Sequence, residues 1–220
     1  MITLRAAALL FDMDGVLVNS KAVIERVLQR WAARRGLDRE AMRDLPHGQK
    51  TSDTVRDVAP HLDLAEEVAW LDAEEERDLE GIVEIPGAGR LVRSLAPQDW
   101  ALVTSAGRDL AAMRLAAARV PLPRTIVSGE SVGRGKPDPE GYLMGARLLG
   151  RRPDECVVLE DAPAGIKAGL AAGMRVIGVA TTYDRARLVP LGCAAIVSTL
   201  ADISVDPRGP AATLVLHIED

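Results

Sequence analysis

Phe11-Asp12-Met13-Asp14-Gly15-Val16 sets two carboxylates one residue apart at the end of an apolar run, 6–11, that reads as a buried strand. Placing two acids at a strand's C-terminal tip is costly unless a cation or a proton relieves their repulsion. The pair therefore points either to a metal site or to a division of labour between nucleophile and acid/base. Taken alone, Asp-x-Asp-Gly is also common turn chemistry, and the remainder of the chain has to decide between the two.

Working outward, apolar runs of strand length recur at 100–104, 125–127, 156–160, 175–179 and 194–197, with helical patterns at 87–95, 109–118, 139–149 and 163–172 between them. Such alternation indicates an α/β fold: a parallel sheet with helices on both faces, which binds ligands at the strand C-termini. From about 19 to 84 the alternation stops, and charged amphipathic helical patterns take over at 21–35, 39–44, 51–59 and 64–79. This is read as a helical insertion that ends at the Pro86-Gly87 punctuation. Its acidic run, Asp72 to Glu76, is read as a solvated helix face. Near the end, the turn signal Asp206-Pro207-Arg208-Gly209 separates 202–205 from the alternating 213–218, predicting a terminal β-hairpin at the sheet edge.

The 220 residues, 48% of them hydrophobic, suffice for one domain with a sizeable insertion or for two small ones. A formal net charge of −5 and 3% aromatic residues leave neither a basic groove nor a stacking platform, so nucleic acid is not expected as a partner. No apolar window approaches the roughly 20 residues of a membrane span, and the short run before Asp12 does not form a signal peptide. Cys156 and Cys193 open apolar runs and read as small buried hydrophobes, which fits a reducing, cytoplasmic setting. With no long apolar stripe left over, a monomer is expected.

Three further stretches fall at or just beyond expected strand ends. Thr104-Ser105-Ala106-Gly107 offers hydroxyls and the N–H groups of a tight turn to phosphate oxygens. Gly135-Lys136-Pro137 presents one lysine on a stiff loop, suited to a fixed cation opposite a phosphate. Glu160-Asp161-Ala162-Pro163 adds a second acidic pair, and four carboxylates in one cleft call for a divalent cation.

This ordered set, Asp12-Met-Asp14-Gly, Thr104-Ser105, Gly135-Lys136-Pro137 and Glu160-Asp161-Ala-Pro-Ala-Gly-Ile, resembles the haloacid dehalogenase-like hydrolase superfamily over essentially the whole chain. Within it, the sequence looks like the sugar- and polyol-phosphatase branch. The resemblance implies a Rossmann-like α/β core at 1–17 and 86–220, with an inserted helical cap at 18–85. It implies Asp12 as nucleophile, Asp14 as acid/base, and Thr104, Ser105 and Lys136 as the phosphate grip. It further implies Mg²⁺ held by Asp12, the Asp14 carbonyl and Asp161, with Glu160 orienting a metal water. The expected substrate is a small phosphate monoester, with Asn19, Ile24, His47, Lys50 and Thr51 as candidate cap contacts and Lys50 foremost among them.

The main rival, a phosphomutase of the β-phosphoglucomutase type, is disfavoured because Ile24 and Thr51 stand where the mutase carries a cap histidine and arginine. A dehalogenase would lack the second carboxylate that Asp14 supplies. Phosphonate cleavage would need Lys21 or Lys50 as a Schiff-base lysine. A non-catalytic protein retaining the fold would have lost a motif residue, and none is lost.

Overall fold

The structure, a computed structural model, describes residues 1–40, 42, 45, 47–206 and 213–219. Its strands are β1 (Ile2–Ala6), β2 (Ala8–Phe11), β3 (Val18–Asn19), β4 (Val83–Glu84), β5 (Trp100–Val103), β6 (Thr125–Val127), β7 (Cys156–Glu160), β8 (Arg175–Val179), β9 (Ala195–Val197), β10 (Ile203–Asp206) and β11 (Leu214–Ile218). The helices are α1 (Lys21–Arg35), α2 (Thr51–Val58), α3 (Leu64–Arg77), α4 (Ala88–Arg93), α5 (Arg108–Ala117), α6 (Glu140–Leu148), α7 (Pro163–Ala171) and α8 (Arg185–Leu188).

Six strands form one parallel sheet in the order β6-β5-β2-β7-β8-β9, so the strand ending at Asp12 runs through its middle. Every residue of β2 is buried, as a strand covered on both faces must be. Leu9 and Phe11 join the apolar cluster containing α4 and α5, whereas Ala8 and Leu10 join the one containing α6 and α7. Each fully buried large side chain here stabilises the fold by about 1.5–3 kcal/mol relative to exposure. Phe11 also meets the Trp100 ring edge-on, with centroids 5.8 Å apart.

Two expectations need correction. The run 6–11 is not one strand: the chain bends at Ala7, whose N–H donates to the Glu155 carbonyl, and β1 leaves for a different sheet. The terminal strands do pair antiparallel, but β11 lies between β10 and β1 in a separate three-stranded sheet, not at the edge of the parallel one. The cause is patterning. Leu214, Leu216 and Ile218 are buried while Val215 and His217 are not, and a one-sided strand suits an antiparallel sheet with one wetted face. Positions 207–209 of the expected turn lie outside the described residues. So do 41, 43 and 44 of the helix expected at 39–44.

Helices α1, α2 and α3 form an excursion between β3 and β4. Asp63 starts α3 by accepting the Glu66 N–H at 2.9 Å, satisfying one of the donors a helix N-terminus leaves open. Fully buried Glu67 on α3 accepts from Trp31 Nε1 at 2.6 Å and pairs with Arg35. Burial would raise its carboxyl, but Arg35 and Trp31 hold it below the usual range. The excursion leaves through β3 and returns through β4, a two-residue antiparallel ribbon that the sequence does not signal.

Asp78 closes this layer, taking Arg26 Nη2 at 2.7 Å and Arg30 Nη1 at 2.9 Å. The Arg26 and Arg30 bonds hold its carboxyl far below the ordinary 3.8. A depressed carboxylate stabilises fully above its unfolded value and loses that contribution as pH falls toward its folded one. Asp78→Asn is thus expected to lower Tm at pH 7 by no more than about 4 °C, the arginines being partly exposed. The gap between the two proteins should narrow as pH falls below 3.8; a gap constant from pH 7 to 2.5 would contradict the assignment. Among the described residues, no helix is long and apolar enough to cross a membrane.

Candidate active site

The site forms where β2, β5 and β7 end side by side. Asp12 follows β2 directly, and its N–H continues the ladder to the Leu159 carbonyl at 3.1 Å. Gly15 then turns the chain at φ +81°, and a Cβ there would lie 2.0 Å from Asp161 Oδ2, so only glycine lets the two acidic loops approach. Glycine is needed again at Gly165 of α7, where a Cβ would meet Glu160 Oε1 at 1.7 Å.

Lys136 is the charge centre. Buried, it bonds Asp12 Oδ1 at 2.5 Å and Glu160 Oε1 at 2.6 Å. Burial alone would lower its ammonium, but Asp12 and Glu160 outweigh that and hold it raised. Glu160 is anchored further: Tyr142 donates to Oε1 at 2.7 Å, and the N–H groups of Asp161 and Ala162 donate to Oε2 at 3.1 and 3.3 Å. Its most visible work is to hold Lys136 in place.

Carboxylate oxygens of Asp12, Glu160 and Asp161 all lie within 4.8 Å of one another, so these three could hold a metal ion. The electrostatics of Asp12 and Asp161 favour an added positive charge. Burial pushes Asp12 up to about 7 despite Lys136, with Glu160 and Asp14 adding to the rise. Burial also drives Asp161 well above 3.8, with Glu160 and Asp12 reinforcing it. Hard oxygen donors short of cationic charge fit a divalent hard cation.

Asp14 sits apart from this cluster. Its Oδ1 accepts from Ser20 Oγ at 2.5 Å, and Arg114 Nη1 reaches both its oxygens at 3.1 Å. Asp12 and Asp14 share a cavity of about 110 Å³ with Thr104, Ser105, His47 and Thr51. Thr104 Oγ1 accepts the Ala106 N–H at 3.1 Å and, among the described residues, has no acceptor for its own proton, while Ser105 Oγ donates to the Gly48 carbonyl at 2.7 Å.

The candidate cap contacts divide. Ile24, His47 and Thr51 line this cavity. The His47 ring stands edge-on to Tyr183, and burial, with Lys21 adding to it, lowers its pKa. Thr51 Oγ1 donates to Asp72 at 3.0 Å. Lys50 turns away: its Nζ donates to the Val132 carbonyl at 2.7 Å, and it lines a smaller neighbouring cavity together with Lys136. Asn19 is exposed on β3 and accepts a long 3.4 Å bond from the Lys21 N–H.

The acidic run 72–76 is not a wholly solvated face. Glu75 lies one turn after buried Leu71 and Asp72 one turn before Glu75; both are bonded to neighbouring elements, through Arg114 and Thr51, while Glu76 faces water. Glu75 and Arg114 line the cavity and were missed as site residues. Arg114 carried a signal: it occupies an inward position of α5, alongside Leu110, Ala111 and Leu115, where an apolar residue belongs.

An α/β core that gathers acids, a lysine and a hydroxyl turn at its strand tips defines an enzyme class that handles phosphate esters. Residues 6–173 match the family model for haloacid dehalogenase-like hydrolases. The chain is 43% identical to hexitol phosphatase A of Escherichia coli (strain K12) over 190 residues, which covers 84% of this chain and 88% of that protein. It is 35% identical to glycerol-1-phosphate phosphohydrolase 1 of Saccharomyces cerevisiae over 216 residues, covering 93% and 86% respectively. A crystal structure of a HAD family hydrolase from Deinococcus radiodurans with bound phosphate and sodium is 31% identical, covers 89% of this chain and 92% of that one, and superposes with a TM-score of 0.65.

The chain therefore belongs to the haloacid dehalogenase-like hydrolase family. Within that family it is a phosphoric monoester hydrolase, grouped with the sugar- and polyol-phosphate phosphatases.

Proposed function

We propose that the protein is a Mg²⁺-dependent phosphatase for a small sugar or polyol phosphate and that it works through an aspartyl-phosphate. The observation that carries this reading is Lys136: a buried cation bonded to Asp12 at the strand tip, in reach of a phosphate seated there. Asp12 attacks phosphorus in line, forming an O–P bond as the bond to the leaving alcohol breaks. Asp14 gives that alcohol its proton. Water then attacks the acyl-phosphate and yields a proton to Asp14, releasing phosphate and restoring Asp12. Thr104, the Ser105 backbone and Lys136 stabilise the equatorial oxygens as charge builds.

Asp12, Asp161 and the Asp14 carbonyl would hold Mg²⁺, which when bound neutralises the acids and the incoming phosphate. Glu160 orients a metal water and also positions Lys136, since its bonds run to that side chain, Tyr142 and two backbone N–H groups. Residues 18–85 act as the cap and 1–17 with 86–220 as the core, with hinges at 17–20 and 84–86. His47 and Thr51 face the leaving group; Asn19 and Lys50 would reach it only after rearrangement. The working form is a monomer in the cytoplasm; the free thiols Cys156 and Cys193 support the reducing compartment, not the oligomeric state.

The test is phosphate release from p-nitrophenyl phosphate, acetyl phosphate and a panel of sugar and polyol phosphates, compared by kcat/KM. Dialysis against EDTA should remove activity at least about tenfold, and added Mg²⁺ should restore it. Full activity after EDTA would refute the metal dependence while leaving the nucleophile assignment intact.

A further inference from the structure

Glu75 occupies the α3 wall of the cavity shared by Asp12 and Asp14. Its side chain is 15% exposed, and its Oε2 accepts from Arg114 Nη2 at 2.9 Å. Arg114 is 1% exposed, and its other terminal nitrogen is divided between the two oxygens of Asp14. Two carboxylates therefore neutralise one guanidinium, and the bond to Arg114 fixes the direction in which Glu75 points. Among the described residues, no donor is bonded to Glu75 Oε1. Burial raises the Glu75 pKa, Arg114 opposing it, as expected for a carboxylate facing a small enclosed cleft.

A carboxylate held this way has a definite chemistry. It accepts hydrogen bonds and offers none, so it favours hydroxyl donors and repels anions. Ile24, Leu28 and Leu71 line the same cavity and supply apolar contact for the C–H edges of a carbon chain.

We propose that Glu75 selects the leaving group: its Oε1 accepts from a hydroxyl of a neutral polyol or sugar, and its charge rejects alcohols that carry a carboxylate or a second phosphate. The inference rests on the phosphatase reading above. Glu75 is a specificity residue that touches the leaving group, and Arg114 is the positioning residue that aims it.

The test compares the wild type with Glu75→Gln and Glu75→Asp on three phosphates: sorbitol 6-phosphate, ethyl phosphate, which has no further hydroxyl, and 6-phosphogluconate, which carries a carboxylate. The Gln variant should lower the ratio of kcat/KM for sorbitol 6-phosphate over ethyl phosphate about tenfold, the effect of losing a hydrogen bond to a charged acceptor. It should also narrow the preference for sorbitol 6-phosphate over 6-phosphogluconate by a similar factor of about ten. Glu75→Asp keeps the charge and should retain rejection of 6-phosphogluconate. Ratios that stay constant in Glu75→Gln while all three rates fall together would overturn the proposal, because a purely structural role moves every substrate alike. A wild type that hydrolyses 6-phosphogluconate as well as sorbitol 6-phosphate would also overturn it. Release of phosphate from none of the three, nor from p-nitrophenyl phosphate, would instead bring down the phosphatase reading on which the inference rests.

Discussion

Asp12→Asn should reduce phosphate release by about 10³-fold or more with every substrate, since an amide does not form the proposed covalent intermediate. Asp14 is the closest alternative by sequence, but it is bonded to Ser20 and Arg114, whereas Lys136 is bonded to Asp12. The same substitution should make the protein more stable. Burial lifts the folded Asp12 from 3.8 to about 7, more than Lys136 lowers it. An acid with a raised folded value destabilises progressively as pH rises from its unfolded to its folded value, and the loss is complete above the latter. In EDTA, the Tm advantage of Asp12→Asn should therefore be small near pH 4, grow toward pH 7 and then level off. A variant that loses activity but is less stable than the wild type at pH 8 would contradict this view of a nucleophile kept at the expense of stability.

Lys136→Met is expected to damage both function and fold. Glu160 is fully buried and Asp12 nearly so, and without the ammonium both lose their only bonded cation among the described residues. Breaking a buried ion pair from one side typically costs about 3–5 kcal/mol. In metal-free buffer a melting curve should report a loss of that order. On the proposed mechanism, removing the charge assigned to the transferred phosphoryl group should lower kcat by about 10²–10³-fold. Added Mg²⁺ is expected to recover part of the stability, since a bound cation can answer the same carboxylates, but not the lost kcat. A variant that melts like the wild type in EDTA would show that the acids are protonated or solvated when Lys136 is absent.

Much of this was legible in the chain. The strand tips carry their chemistry in short contiguous motifs, so Asp12, Asp14, Thr104, Lys136, Glu160 and Asp161 could be singled out one stretch at a time. Their convergence follows from a parallel sheet whose central strand is β2. The bend at Ala7 was not legible, because an apolar run looks the same whether it is one strand or the junction of two. Nor was the fate of Lys50, whose Nζ finds the Val132 carbonyl 82 positions away. Glu75 was misread for a related reason. Four acids within five positions look solvated until the helix is placed against a wall, and then the 3.6-residue period turns some of them inward. Arg114 was the missed clue, a charge on the buried stripe of α5 that needed an acid opposite it.

The ribbon of β3 and β4 carries one more consequence. Residues 18–19 and 83–84 lie hydrogen-bonded to each other, so the helical excursion departs and returns at nearly one point on the core. A segment anchored like this can be lengthened, shortened or exchanged without shifting the register of any strand in the parallel sheet. If the proposed division of labour holds, the part that reads the alcohol and the part that breaks the phosphate bond can then change on separate schedules. In such an architecture, new substrates can be acquired by grafting at a single doorway while the chemical machinery is inherited unchanged.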